Sequence, residues 1–231
     1  MEKELDYWEQ KIASMYLTAS SKNKILLLFL VIECFSCHIE KEHLPYYNTP
    51  DFTPVFLKTP ENVSDSIPHQ IDNFSFTNQD RKTVTQKDVE GKIHIANFIF
   101  TSCISICPVI TNNLKKAGDR FDKDSNVVFL SYTVTPWIDN PTQLNAYKAV
   151  NEITNDYWHF LTGNQAEIYN LARMSYFAEE DLGFTKDSTD FLHTEHILLI
   201  DKTKRIRGIY NGTLKLDIEQ LISDINQLKS E

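Results

Sequence analysis

Two predominantly apolar runs, "IHIANFIF" at 93–100 and "NVVFLSYTVT" at 126–135, constrain this chain more than any other feature in it. Both are short and rich in β-branched and aromatic residues. Neither alternates as a strand with one wet face would. Runs of this kind are strands buried on both sides, at the centre of a sheet covered by helices. Between them Ile110, Leu114, Ala117 and Phe121 recur at helical spacing, which predicts a helix over about 108–121. Strand, helix and strand in that order make a parallel crossover.

The pattern continues. Asn140-Pro141 with Gln143 opens a second helix, and "WHFLTG" at 158–163 is a short strand. Asn164 with Glu167 opens a helix through about Tyr176. "HILLID" at 196–201 and "RIRGIY" at 205–210 pair as a hairpin. A last helix starts near Asp217, with Gln220 completing its capping box and Ile218, Leu221, Ile222, Ile225 and Leu228 on its apolar face. Upstream, Ile71, Phe74 and Phe76 alternate and begin a small hairpin. The expectation is an α/β protein with a central mixed sheet flanked by helices and a short N-terminal extension. That element order is the one found in thioredoxin-like folds.

A net charge of −9 over 231 residues, with no basic stripe, excludes nucleic acid as a partner. The N-terminus reads as a leader. Lys22 and Lys24 precede an apolar run, Ile25–Phe35, broken by Glu33 and followed by Ser36-Cys37. The run is shorter than the ~20 apolar residues of a membrane-spanning helix. Residues 1–37 are therefore expected to be a signal or lipoprotein leader, or a membrane anchor. Cys37 is the candidate lipidated residue and Cys34 the other possible acceptor, and Met15 is an alternative start. The competing reading is a buried apolar segment. Residues 38–67, rich in Pro, Asn, Thr and charge, read as a tether, and 68–231 as the folded domain.

With Cys34 and Cys37 assigned to the leader, the domain holds only Cys103 and Cys107. In "FIFTSCISICP" they fall where the first long strand ends and the helix begins. Free backbone N–H groups and the positive end of a helix dipole meet there, and both stabilise thiolates. Pro108 suits the first helical turn, where its missing N–H costs nothing. Three residues separate the cysteines, where a thioredoxin-type dithiol has two. The extra residue gives two soft thiolates room to hold one monovalent copper ion, and an imidazole would complete a trigonal site. A peroxidase arrangement needs a threonine three residues before the attacking cysteine. Phe100 and Ile104 stand there instead. A structural disulfide and a thiol–disulfide exchange pair stay open.

In "DFLHTEHILLID", His193 and His196 are three apart, so on an extended strand they face opposite ways and only one meets the cysteines. His193, at the mouth of the strand, is the candidate ligand. His196 opens the buried run and reads as structural. His94 and His159 lie in apolar strands and read as core histidines, while His38, His43 and His69 read as solvated.

The segments "FIFTSCISICP", "TVTPWIDNP", "WHFLTG" and "FLHTEHILLIDKTKRIRGIYNGT" resemble the SCO/SenC copper-binding proteins of cytochrome c oxidase assembly, over about residues 70–228. "FLHTE" and "RIRGIY" resemble the branch found in Bacteroidetes-type bacteria. The resemblance implies a thioredoxin-like fold and a monomeric, membrane-anchored protein whose domain faces the periplasm. It places the family's two metal-binding cysteines on Cys103 and Cys107 and its histidine on His193. It also implies copper, Cu(I) or Cu(II), as the bound metal. The implied partners are a copper-bearing oxidase subunit with a dinuclear centre and a thiol reductant. The family's Asp-Pro-x-x-Asp segment departs here: Thr135 replaces the first acid and Asp139 keeps the second. Two functions are compatible with these residues. One is delivery of copper to the oxidase. The other is reduction of the oxidase's copper-ligand cysteines, with Cys103 and Cys107 as a redox pair. Only the first needs His193.

Overall fold

The computed structural model describes residues 43–57, 63–178 and 194–231. The expected leader, with Cys34 and Cys37, and the candidate ligand His193 lie outside the described residues. The strands are β1 (Tyr46–Tyr47), β2 (Pro54–Val55), β3 (Ser75–Asn78), β4 (Thr83–Thr85), β5 (Ile93–Ile99), β6 (Val127–Thr133), β7 (Trp158–Thr162), β8 (His196–Ile200) and β9 (Ile206–Asn211). The helices are α1 (Val63–Ser66), α2 (Gln86–Val89), α3 (Ile106–Arg120), α4 (Pro141–Val150), α5 (Gln165–Asn170) and α6 (Lys215–Ser230).

All nine described strands form one sheet in the order β2-β1-β9-β8-β5-β6-β7-β3-β4. β5, β6 and β7 run parallel, as the crossover argument requires. β8 returns antiparallel beside β5 and pairs with β9 as a hairpin. Every residue of β5 and β6 is buried, which is why neither run alternates in sequence. One face of the sheet packs Ile93, Ile95 and Ile99 under α3, α4 and α6, with Trp158 and Phe160 between. The other packs Ala96, Phe98, Leu130 and Tyr132 against Ile168, Tyr169 and Tyr176. The fold is thioredoxin-like.

Three local expectations shift. The helix opened by the Asn164 cap does not run evenly to Tyr176. It widens into a π turn at Leu171–Ser175, where the Tyr176 N–H reaches the Leu171 carbonyl at 3.1 Å. The last helix starts at Lys215, near Asp217 as expected, but its capping differs: the Asp217 carboxylate accepts from the Asn211 N–H at 2.8 Å. Gln220, expected to complete its cap, donates to Asp224. Finally, part of the stretch read as tether is folded. Tyr47 pairs with Ile206 at the sheet edge, and the Arg207 guanidinium stacks on Tyr46 at 4.0 Å. Arg207 also donates to the carbonyls of Leu44 and Pro45 and ion-pairs with Asp201 and Glu231. The compact unit begins at His43, so the expected boundary at 68 falls inside it.

Candidate metal and thiol site

β5 ends at Ile99 and α3 begins at Ile106, and the loop between them carries Cys103. The Cys103 N–H donates back to the Phe100 carbonyl at 3.1 Å, which turns the loop over the strand end. Cys107 occupies the first turn of α3. Both cysteines are free thiols, and both are partly exposed.

The two sulfurs meet, and their environments differ. Burial pushes the Cys103 thiol up. The N–H groups of Cys107, Ser105 and Ile106, together with the Cys107 thiol, outweigh that effect and hold it below its ordinary value. Cys107 is pushed up to about 12, first by burial, then by donating its proton to Cys103 and by the charge of Cys103 and Asp139. The first proton thus leaves from Cys103, at the helix N-terminus where the free N–H groups point. A second thiolate forms only when a cation replaces that proton. The pair therefore offers one ready nucleophile or soft ligand and a second on demand.

Beneath the loop lies a fully buried carboxylate, Asp139. Thr133 and Thr135 donate their hydroxyls to it, and Thr101, two residues before Cys103, donates both hydroxyl and N–H. This ties the start of the cysteine loop to the segment after β6. Thr135, which stands where the resembling family has an acid, is here a hydroxyl donor to the carboxylate that remains. Sequence reasoning left this arrangement unassigned, although a signal was present. Ser131, Thr133 and Thr135 place hydroxyls at every second residue of an otherwise apolar strand, so they share one face. Ser131 uses the same face, donating to Asn97 and accepting from the Trp158 indole. Tyr147 was also missed. Its hydroxyl meets Thr111 on α3 at 2.7 Å, and burial, with the charges of the nearby cysteines and Asp139, pushes it up to about 12.

Among the described residues, no three His, Cys, Asp or Glu side chains group as a metal site. The described part supplies two converging soft donors and no third. Those donors fit a monovalent copper ion in kind. His196 opens β8 half-buried, edge-on to Phe52 at 5.7 Å. His94 is fully buried against the Tyr176 hydroxyl, and burial lowers its pKa to about 3. Burial also lowers His159. His69 is stacked on Phe177, and His43 faces Glu231 at 3.3 Å.

A mixed sheet with free cysteines where the first long strand, β5, meets α3 defines a thioredoxin-like dithiol protein. Comparison narrows the class. The SCO1/SenC family model matches residues 64–230, and the chain belongs to that family. Among solved structures it is similar to a SCO1/SenC family lipoprotein of Bacillus anthracis (28% identity, TM-score 0.61, covering 75% of this chain and 99% of that one). It is similar to BsSco, described as carrying a disulfide switch and as a member of the Sco family of cytochrome c oxidase assembly proteins (28%, 0.59, 70% and 94%). It is also similar to Bradyrhizobium japonicum ScoI with copper bound (26%, 0.54, 68% and 98%).

Proposed function

We propose that this protein is a copper metallochaperone that holds one ion through Cys103, Cys107 and His193 and delivers it to the dinuclear copper site of a cytochrome c oxidase subunit. The observation that carries the reading is the sulfur pair itself: two free thiols, converging, partly exposed and unequal in acidity. A partly exposed pair suits hand-over, since an incoming thiolate must displace the bound ones in turn. The exposed rim suits a protein acceptor. Ile104 is 97% exposed and Trp137 is 60% exposed, on two segments tied together through Thr101 and Asp139. Copper in ScoI and oxidase assembly in BsSco support the choice of cargo and partner. The protein binds and delivers and performs no turnover. Its place is the cell envelope, with Cys37 lipidated, the domain facing the periplasm, and a lipoprotein among its relatives.

The unequal thiols also support a second reading, a thiol–disulfide oxidoreductase acting on the oxidase's copper-ligand cysteines. Cys103 would attack and Cys107 would resolve the mixed disulfide. Anaerobic copper titration of the reduced full chain, with X-ray absorption, separates the two. Two sulfurs and one nitrogen around one copper are expected. His193→Ala should lower copper affinity more than ~100-fold, beyond the range of outer-shell changes, and leave disulfide reduction intact. A reduced chain that takes up no copper would sink delivery in favour of reduction.

A further inference from the structure

The end of the sheet away from the cysteines carries a groove of about 740 Å³. Its walls are α2 and the turn between β8 and β9, and it is lined by Lys87, Lys202, Lys204, Arg205, Gln86 and Gln70, among others. Four cations face one carboxylate, Glu90, in a chain whose net charge is −9. Among the described residues, none of the three lysines has a carboxylate partner. Arg205 is buried, yet its guanidinium donates only to neutral oxygens: the carbonyls of Ile67 and Thr203 and the Ser64 hydroxyl. Gln70, with its amide oxygen turned inward, adds a third neutral acceptor type at 3.1 and 3.2 Å.

Gln86 is a second, independent signal. It is only 8% exposed, lines the groove, and has no partner for either its amide N–H₂ or its carbonyl. A buried amide without partners is costly, and native proteins avoid it unless something else fills the need. The missing partner must present an anion to the lysines and both acceptor and donor atoms to the amide. A phosphate ester with a hydroxylated headgroup has that set.

The position of the groove says where such a group comes from. Lys202 and Thr203 line it, and both also line a neighbouring pocket whose rim includes His43, the first described residue of the domain. Only five residues separate Cys37 from His43. At ~3.8 Å per step, that chain reaches at most about 23 Å. A lipid on Cys37 would keep His43 within that reach of the bilayer surface, and contact between the basic groove and the bilayer is then what orients the domain. We propose that the groove docks the headgroup of an anionic phospholipid, resting on the envelope-anchored reading above. β5 runs from Ile93, next to His94 and its partner Ile200 beside the basic turn, to Ile99 beside the cysteine loop. Seven strand residues span about 20 Å. Docking therefore turns the cysteines away from the membrane, toward a partner domain that stands above it.

The test uses the full chain added to vesicles of phosphatidylcholine alone or with phosphatidylglycerol, with amide exchange read on peptides 84–90 and 200–206. Expected is association with both vesicles, and exchange slowed roughly fivefold or more only where phosphatidylglycerol is present, the worth of about one lysine at an anionic surface. Molar salt should abolish the slowing. The Lys87→Glu, Lys202→Glu, Lys204→Glu variant should keep association and copper binding and lose the protection. Equal exchange in both vesicles overturns the groove. So does equal protection by inorganic phosphate with phosphatidylcholine alone, which would make it a site for a soluble ion. Recruitment by phosphatidylglycerol without binding to phosphatidylcholine keeps the groove and sinks the anchor. A chain that binds neither vesicle sinks both.

Discussion

The two ends of β5 handle buried polar groups in opposite ways. At the cysteine end, the Asp139 carboxylate is enclosed by hydroxyls from Thr101, Thr133 and Thr135 and by a backbone N–H. At the other end, the Gln86 side-chain amide has no partner, and His94 uses only one of its two ring nitrogens. A saturated network fixes one geometry, because every alternative breaks a bond. An unsaturated one leaves capacity for something outside the fold. The loop that positions two sulfurs belongs to the first kind, and the lysine-rich groove to the second.

If that contrast is right, the largest stability effect lies at the saturated end. Asp139→Ala removes the shared acceptor and leaves the buried hydroxyls of Thr133 and Thr135, and the half-buried hydroxyl and N–H of Thr101, without it. At about 1 kcal/mol or more for each orphaned donor, the loss should reach about 4 kcal/mol in urea unfolding. Thr135→Val removes one donor and should cost about 1 kcal/mol. A loss of the same size for both variants would mean that the hydroxyls do not converge on one carboxylate.

The unsaturated end should announce itself through pH. His94 in the folded protein titrates at about 3, against an ordinary 6.5, because burial opposes its charge. Below pH 6.5 the unfolded chain takes up a proton that the native protein refuses, so stability is full above that pH and falls as the solution is acidified. The slope is about 1.4 kcal/mol per pH unit until the native histidine also protonates. His94→Leu leaves the Tyr132–Tyr176 hydroxyl contact in place and removes this term. From pH 6.5 to about 4.5 the variant should gain about 2 kcal/mol on the parent. Parallel pH profiles would show that His94 is solvated.

How much of this was legible in the sequence follows the same division. The central strands, the hairpin and the α3 start were readable because predominantly apolar runs and caps act locally, as the Asn140 side chain does on the N–H groups of Thr142 and Gln143. The cysteine junction was readable for the same reason. Asp217 misled because a carboxylate near a helix start has two N–H choices, and the loop residue Asn211 supplied the better one. Tyr46 and Tyr47 were not readable as sheet members, since a two-residue strand has no period and its partner lies about 160 residues away at Arg207 and Ile206. The Thr135–Asp139 contact was half readable: the hydroxyl spacing was there, but their common acceptor was fixed only by the turn after β6. The groove was invisible, because Gln86 and Arg205 become neighbours only when the β8–β9 turn packs near α2. His193 stands apart, as a ligand inferred from strand parity and resemblance.

The smallest expected effect is the sharpest on the contrast itself. Gln86→Met keeps nearly the same volume and replaces two unpartnered polar atoms with apolar ones. In an ordinary buried site, removing a paired amide destabilises by about 1 kcal/mol, whereas removing an unpaired one relieves a desolvation cost of about that size. The variant should therefore unfold at higher urea, by about 1 kcal/mol, with m unchanged. In phosphatidylglycerol vesicles the order should reverse or close, because the parent amide then gains its partners and the methionine cannot. A variant less stable than the parent in vesicle-free buffer would mean that Gln86 is already satisfied within the fold. The two ends of β5 would then obey one rule, and the groove would lose its strongest argument.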